Sequence, residues 1–371
     1  MTTKPKTTKA KAKKDAEDTK PPVPTGPLDL QDMMSFLASN TNTHVEGAYS
    51  PVDFIETGCI SFDAAVGGLG RGVMTQIAGP AGAGKTTLAT VFGINAVRAG
   101  LRVAVVNQEY RWNPTVAFRS GMGSPGKEYL LFSCVSGEDV LNNLVKLFRN
   151  EYDLIIVDSV AARPSRKESE SEEIGEGGAF GAMAKMWSEW FRVHAGTLSR
   201  GNTALILLNQ FRTKMNITYG SPISRPGGKA LEFYSSVAID LVSVDAEHRF
   251  VRAPRPEEEM IAKDGKIVQG LSISGATWKN IFAPNFRKFD VPVYFHEGGV
   301  AYAFQNDIAD WGKALRIFTN SDGVELSANS HWYYKGEKIG NRDAVRAWAI
   351  DPINAHKIMD IRQSIREAIQ S

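Results

Sequence analysis

Residues Gly79-Pro80-Ala81-Gly82-Ala83-Gly84-Lys85-Thr86 have the composition and spacing of a phosphate-binding loop. Gly79, Gly82 and Gly84 let backbone N–H groups approach an anion closely. Lys85 is suited to reach β- and γ-phosphates and the Thr86 hydroxyl to ligate Mg²⁺, while Thr87 extends the nucleotide-binding run. Asp158 ends the apolar run Tyr152–Asp158, and its carboxylate suits the same cation, opposite Thr86. Glu109 follows the apolar run Leu101–Asn107, a position fit for orienting and deprotonating an attacking water. A solvated acid at a strand end is the alternative reading of Glu109. Gln210, after the run Thr203–Asn209, is either an amide that senses the γ-phosphate or an ordinary polar residue ending a strand.

A phosphate loop works only where a strand feeds a turn that opens a helix, because the helix N-terminus then points its unpaired N–H groups at the anion. The flanking sequence meets that demand. Residues 73–78 read as a short buried strand, and 86–97 carry apolar residues at helical spacing. Strand and helix patterns then alternate: strands over 101–107, 127–132, 152–158 and 203–209, helices over 114–122, 137–150 and 174–200. Such repeats predict an α/β fold with a mostly parallel, twisted sheet covered on both faces. Beyond Val237 the runs 237–244, 266–274 and 291–295 predict antiparallel strands added at one edge.

The expected organisation has four parts: a tail over 1–27, an N-terminal docking segment over 28–54 containing a helix at 28–39, a core over 55–304, and a small α/β domain over 305–371. The last is expected to pack on Trp311, Trp332, Tyr333 and Trp348. The 371-residue chain has a formal charge of +2. Residues 1–27 hold seven lysines and three acids, so the rest of the chain sits near −2 and is not generally basic. The tail reads as disordered, either a solubilising extension or a polycation steering towards phosphate backbones. No apolar run of ~18 residues suggests a transmembrane helix, and the lysines are not followed by a signal-peptide core. Two cysteines imply no disulfide framework and suit the cytoplasm, and six scattered histidines show no zinc spacing.

Two segments combine cations with insertable side chains. One runs from Arg163, through Arg166 and Lys167, to the glycine-rich stretch ending at Phe180. The other carries Arg212, Lys214 and Arg225 among Phe211, Met215, Ile217 and Tyr219. Cations for phosphates and flat side chains for bases suit a single nucleic-acid strand.

Taken in order, the segments IETGCISFDAAVGGLGRG, GPAGAGKTT, VNQEYRWNP, LIIVDSVAA, GEGGAFGAMAKMWS, LLNQFRTKMNITYGSP, PGGKALEFYSSVAIDL, WKNIFAPNF and WYYKGEKIG resemble the RecA family of homologous-recombination ATPases. The resemblance runs from about Ile55 to Arg346. It implies a P-loop NTPase core using ATP and Mg²⁺. Glu109 would be the catalytic glutamate, and Gln210 the glutamine coupling the γ-phosphate to the DNA-binding loop after it. Phe180, Thr218 and Tyr219 fall where the family's loops meet DNA. Lys279 matches a cation that reaches a neighbouring subunit's ATP, and Phe233 a residue of the same interface. The implied activity is a DNA-dependent ATPase that forms homo-oligomeric helical filaments on single-stranded DNA and pairs it with homologous duplex. Single-strand-binding or mediator proteins are further partners that such an activity implies. Rival readings are a ring helicase of the same core and an ATP-binding regulatory mediator. The chain departs from the family pattern at Ile281, where a second basic residue usually stands, with Arg287 and Lys288 as candidate substitutes. Asn113 and Val116 occupy positions where an acid and an aromatic usually face the base.

Overall fold

The computed structural model describes residues 29–38, 52–160, 179–213, 223–226, 228–242, 250–251, 260–261, 267–268, 270–296, 298–327 and 330–370. Residues 1–51 and 52–371 are separate units. The described part of the first is helix α1, Leu30–Ala38, whose first turn is capped by Asp29 accepting from Asp32 N at 2.8 Å. The lysine-rich tail lies outside the described residues.

The second unit is built on a ten-stranded sheet. Its strands are β1 (Met74–Gly79), β2 (Val103–Asn107), β3 (Leu130–Phe132), β4 (Leu154–Asp158), β5 (Ala204–Gln210), β6 (Val237–Leu241), β7 (Gly270–Asn280), β8 (Lys288–His296) and β9 (Gly299–Tyr302), with the two-residue strand Phe250–Val251 beside β7. The spatial order is β9-β8-β7-β6-β1-β5-β4-β2-β3. From β6 to β3 every neighbouring pair is parallel. From β6 to β9 every pair is antiparallel. The strand at Val237, expected to be antiparallel, instead runs parallel to β1 (Ile239 opposite Ile77), and the antiparallel edge begins only at β7. The short helix Gly228–Tyr234, which the strand pattern alone does not reveal, returns the chain for that parallel pairing.

Alternation along the strands divides the core. Ile77, Val103, Val105, Leu154, Ile156, Ile206 and Leu208 face one side, towards helices α2 (Ile60–Val66) and α3 (Lys85–Arg98). Met74, Ala104, Val106, Ile155, Val157, Leu205 and Leu207 face the other, under α5 (Gly137–Arg149) and α6 (Ala179–Arg200), whereas α4 (Pro114–Arg119) buries Ala117 in the first cluster, on the side of α3. Burial on both faces is why these strands read as unbroken apolar runs. Local signals set the helix starts. Asn113 caps α4 through Thr115 N and Val116 N ahead of Pro114, and Ser136 caps α5 through Asp139 N.

After α7 (Gly228–Tyr234), the C-terminal elements α8 (Phe304–Ala314), a hairpin of Trp332–Tyr334 with Glu337–Gly340, α9 (Arg342–Ile350) and α10 (Ala355–Gln370) gather around a third cluster. Trp332 and Tyr334 are buried in it, whereas Tyr333, expected there, is not, because adjacent strand residues face opposite ways. Lys335 and Gly336, at φ 47° and 83°, turn the hairpin tightly. Ile60 of α2 belongs to the same cluster.

Candidate functional site

The carboxyl ends of four parallel strands lie level. Gly79 of β1 pairs with Gln210 of β5, and Asp158 of β4 pairs with Asn107 of β2 and Leu208 of β5. Ligands of open α/β sheets bind at such ends. Between β1 and α3 the chain makes the phosphate loop. Gly84 caps α3 at φ 88°, and a Cβ there would lie 2.9 Å from Ile273 Cδ1, so glycine is required both by conformation and by space. The Lys85 ammonium donates to Gly79 O at 3.0 Å and Pro80 O at 2.7 Å, which holds it over the loop. Burial pulls its pKa below the usual lysine value, while the Glu109 and Asp158 carboxylates act in the opposite sense.

Thr86 Oγ1 donates to Asp158 Oδ2 at 2.7 Å. Asp158 is 2% exposed, and burial raises its pKa. A hydroxyl and a carboxylate in contact, both oxygen donors, fit a hard cation such as Mg²⁺, which keeps several waters and takes few protein ligands. Glu109 lies across the β2–β4 edge, its backbone N–H bonded to Asp158 O at 3.1 Å. Gln210 Nε2 bridges both oxygens of its carboxylate at 2.7 and 2.8 Å. Two residues that sequence reasoning did not single out complete this group. Ser159 Oγ also donates to Glu109, and Arg111 Nε lies 3.4 Å from Glu109 Oε2. Their only signal was adjacency, Ser159 directly after Asp158 and Arg111 two positions after Glu109. The structure therefore brings Gly79–Thr87, Glu109, Asp158 and Gln210 into one constellation.

The other candidates are dispersed. Lys279 in β7 donates to Glu232 O at 3.1 Å and Phe233 O at 2.8 Å, and burial lowers its pKa. Phe233, at the end of α7, is 75% exposed. Lys279 and Phe233 thus meet on one surface. Ile281 is exposed there too, whereas Arg287 turns away, donating to Ala64 O at 3.2 Å. Asn113 uses its side-chain oxygen to cap α4, and Val116 packs against the core.

Of the residues predicted to touch nucleic acid, Arg163, Arg166, Lys167, Lys214, Thr218 and Tyr219 lie outside the described residues. Phe180 falls in the first turn of α6, and the Arg212 backbone in a two-residue strand paired with Ile223–Ser224. Arg225, expected to face a phosphate backbone, is instead satisfied within the chain. Its guanidinium forks onto Asp240, lies 3.6 Å from Glu232 and covers the rings of Trp278 and Phe211. Asn209 reinforces the same spot, donating to Pro226 O at 2.8 Å. Asp240 and Asn209 on the sheet thus hold the Arg225–Pro226 end of the segment 211–226.

A β1–loop–α3 unit with an acid on a neighbouring strand and a hydroxyl–carboxylate pair defines a P-loop NTPase. The family model of the RecA N-terminal domain matches residues 41–300. Protein RecA of Rhodopirellula baltica (strain DSM 10527 / NCIMB 13988 / SH1) is 32% identical over 275 residues, which span 73% of this chain and 67% of that protein. A crystal structure of the RadB recombinase matches with a TM-score of 0.44 and 21% identity, covering 67% of this chain and 98% of that one. The chain belongs to the RecA family and is a recombination ATPase of that family. Among the described residues no helix is long and apolar enough to cross a membrane.

Proposed function

We propose that this chain is a DNA-dependent ATPase that assembles as a helical homo-oligomer on single-stranded DNA and pairs that strand with homologous duplex. The observation that carries this reading is the two-pronged contact from Gln210 to Glu109. One hydrogen-bonded pair joins the candidate water-activating acid to the residue that opens the basic segment 211–226. A change in how Glu109 is engaged reaches the DNA-facing segment through a single side chain, and the reverse also holds.

In this reading Thr86 and Asp158 hold Mg²⁺, which supplies charge neutralisation for phosphoryl transfer. Lys85 and the loop N–H groups hold the phosphates. Glu109 orients and deprotonates the attacking water, with Ser159, Arg111 and Gln210 fixing its carboxylate. Lys279 and Phe233 serve the contact with the next protomer, where Lys279 is placed to meet the neighbour's nucleotide. Residues 28–54 serve as the polymerisation segment, 55–304 as the ATPase core and 305–371 as a small accessory domain. Arg163, Arg166, Lys167, Phe180, Arg212, Lys214, Thr218 and Tyr219 form the DNA-facing set, and Arg225 is removed from it. The cytoplasm is the expected compartment, and single-strand-binding or mediator proteins are expected partners.

Negative-stain electron microscopy with single-stranded DNA, Mg²⁺ and a slowly hydrolysed ATP analogue tests the proposal. Nucleotide-dependent helical filaments are expected. Closed rings would replace the recombinase reading with a ring motor, and bare DNA would replace it with a regulatory role.

A further inference from the structure

The second half of the phosphate-loop helix faces a different cavity. Val91, Ile94, Asn95 and Arg98 share one face of α3 at helical spacing. They wall a cavity of ≈ 470 Å³ completed by the end of α4, by β8 and β9, and by Arg362 of α10. At 1.5 Å rise per residue, Arg98 stands roughly 20 Å along the helix from Lys85, so this space is separate from the nucleotide loop.

Its charge is one-sided. Arg98, Arg119 and Arg362 line it, and no carboxylate does among the described residues. Arg98 donates to Ser120 O at 3.2 Å and Arg362 to Gly58 O at 2.9 Å. Neither of these two makes an ion pair with a described carboxylate. Two buried acids stand in the surrounding structure, and neither lines the cavity. Asp63, behind Gly58, is hydrogen-bonded to Thr57 and Gly58 N, and burial pushes its pKa up to about 7. Asp307, behind Tyr302, accepts from Ser61 N and the Tyr302 hydroxyl, and burial raises it to about 6. Both acids spend their oxygens on donors within the protein and not on the cavity's arginines. Guanidinium forks match phosphate oxygens. The Tyr294 and Phe304 rings supply flat apolar wall, and the volume lies in the range of small-molecule sites.

We propose that this cavity is a second phosphate-binding site, sized for a mononucleotide, with Arg98 and Arg362 on the phosphate and the aromatic wall on the base. Because α3 carries the phosphate loop at one end and Arg98 at the other, occupancy bears on the helix that positions Lys85 and Thr86.

The test is isothermal titration of the full chain, preloaded with Mg²⁺ and a slowly hydrolysed ATP analogue, with AMP as the probe. One AMP per chain is expected in addition to the preloaded nucleotide, its binding weakened about tenfold or more by Arg98→Gln and by Arg362→Gln. Ala301→Leu, which fills the cavity and leaves every arginine in place, is expected to block it, so the test survives if an arginine variant fails to fold. Stoichiometry that stays at the preloaded nucleotide, or AMP affinity unmoved by all three changes, overturns the proposal. Arginines acting only as struts for Ser120 O and Gly58 O would lower stability when replaced, with no AMP bound to the unsubstituted chain. Pyrophosphate binding as tightly as AMP would overturn the role given to the aromatic wall and leave a free polyphosphate as the occupant.

Discussion

Replacing Arg225 by methionine separates a strand-contacting cation from a structural anchor. The guanidinium donates Nε to Asp240 Oδ1 at 3.3 Å and Nη2 to Asp240 Oδ2, and lies 4.9 Å from the Trp278 ring centroid and 5.4 Å from that of Phe211. The Arg225 side chain is 19% exposed and that of Asp240 33%. This falls between an exposed pair, worth under ~1 kcal/mol, and a buried pair whose one-sided removal costs ~3–5 kcal/mol. Adding ~0.5–1 kcal/mol for the ring contacts, part of which methionine retains, the expected loss is about 2 kcal/mol. With a urea m-value of about 3 kcal/mol/M for a chain of this size, the unfolding midpoint should drop by about 0.7 M. Asp240→Asn should cost less once Arg225 is gone, giving a coupling energy in the double-mutant cycle. The salt dependence of single-stranded DNA binding should not change. A cation that neutralises one phosphate of a single strand steepens the slope of log affinity against log salt by about 0.7, and its removal flattens it equally. An unmoved midpoint together with a slope flattened by that amount would refute the anchor and restore Arg225 to the DNA.

Gln210→Ala removes two hydrogen bonds to an ionised carboxylate, each worth ~1.5–3 kcal/mol where the partner is charged. The ratio of ATP turnover with and without poly-dT should fall about tenfold or more; a ratio within twofold of the wild-type value would end the coupling argument. Asp307 should make stability fall as pH rises. An unfolded aspartate ionises near 3.8, but Asp307 keeps its proton to about 6 in the fold. Between those values the folded state binds more protons, so its contribution is full below 3.8, declines at up to ~1.4 kcal/mol per pH unit, and has cost about 3 kcal/mol once pH passes 6. Asp307→Asn, whose amide oxygen still accepts from Ser61 N and Tyr302, should flatten urea midpoints over that window. An unchanged slope would place the titration elsewhere.

What was legible in this sequence had its chemistry complete within a few positions. Gly79–Thr86 carries its own turn, charge and helix start, and the runs at 154–158 and 204–208 announce strands buried on both faces. Strand direction was not local in that sense. Val237–Leu241 has the same apolar character whichever way it runs, and its parallel pairing follows from α7, whose seven residues show little periodicity. Contacts between distant residues were hidden in a deeper way. Thr86 meets Asp158 72 positions away, a pairing that the phosphate loop's need for a cation already suggests, whereas Gln210 and Glu109, 101 positions apart, could be named as candidates but not as a pair. Arg225 shows the cost of reading a charge without its partner. In a basic, aromatic segment it looks like a phosphate contact, yet the acid that neutralises it stands on β6 and the ring that covers it on β7. Arg98 and Arg362 are the converse case. They lie in helices far apart in sequence and unremarkable in composition, and only the fold shows two guanidiniums lining one cavity without a carboxylate between them. A cation's function in this chain is therefore set by whether tertiary structure supplies its counter-charge, and on that basis Arg225 belongs to the architecture while Arg98 and Arg362 are left to recognise an anion.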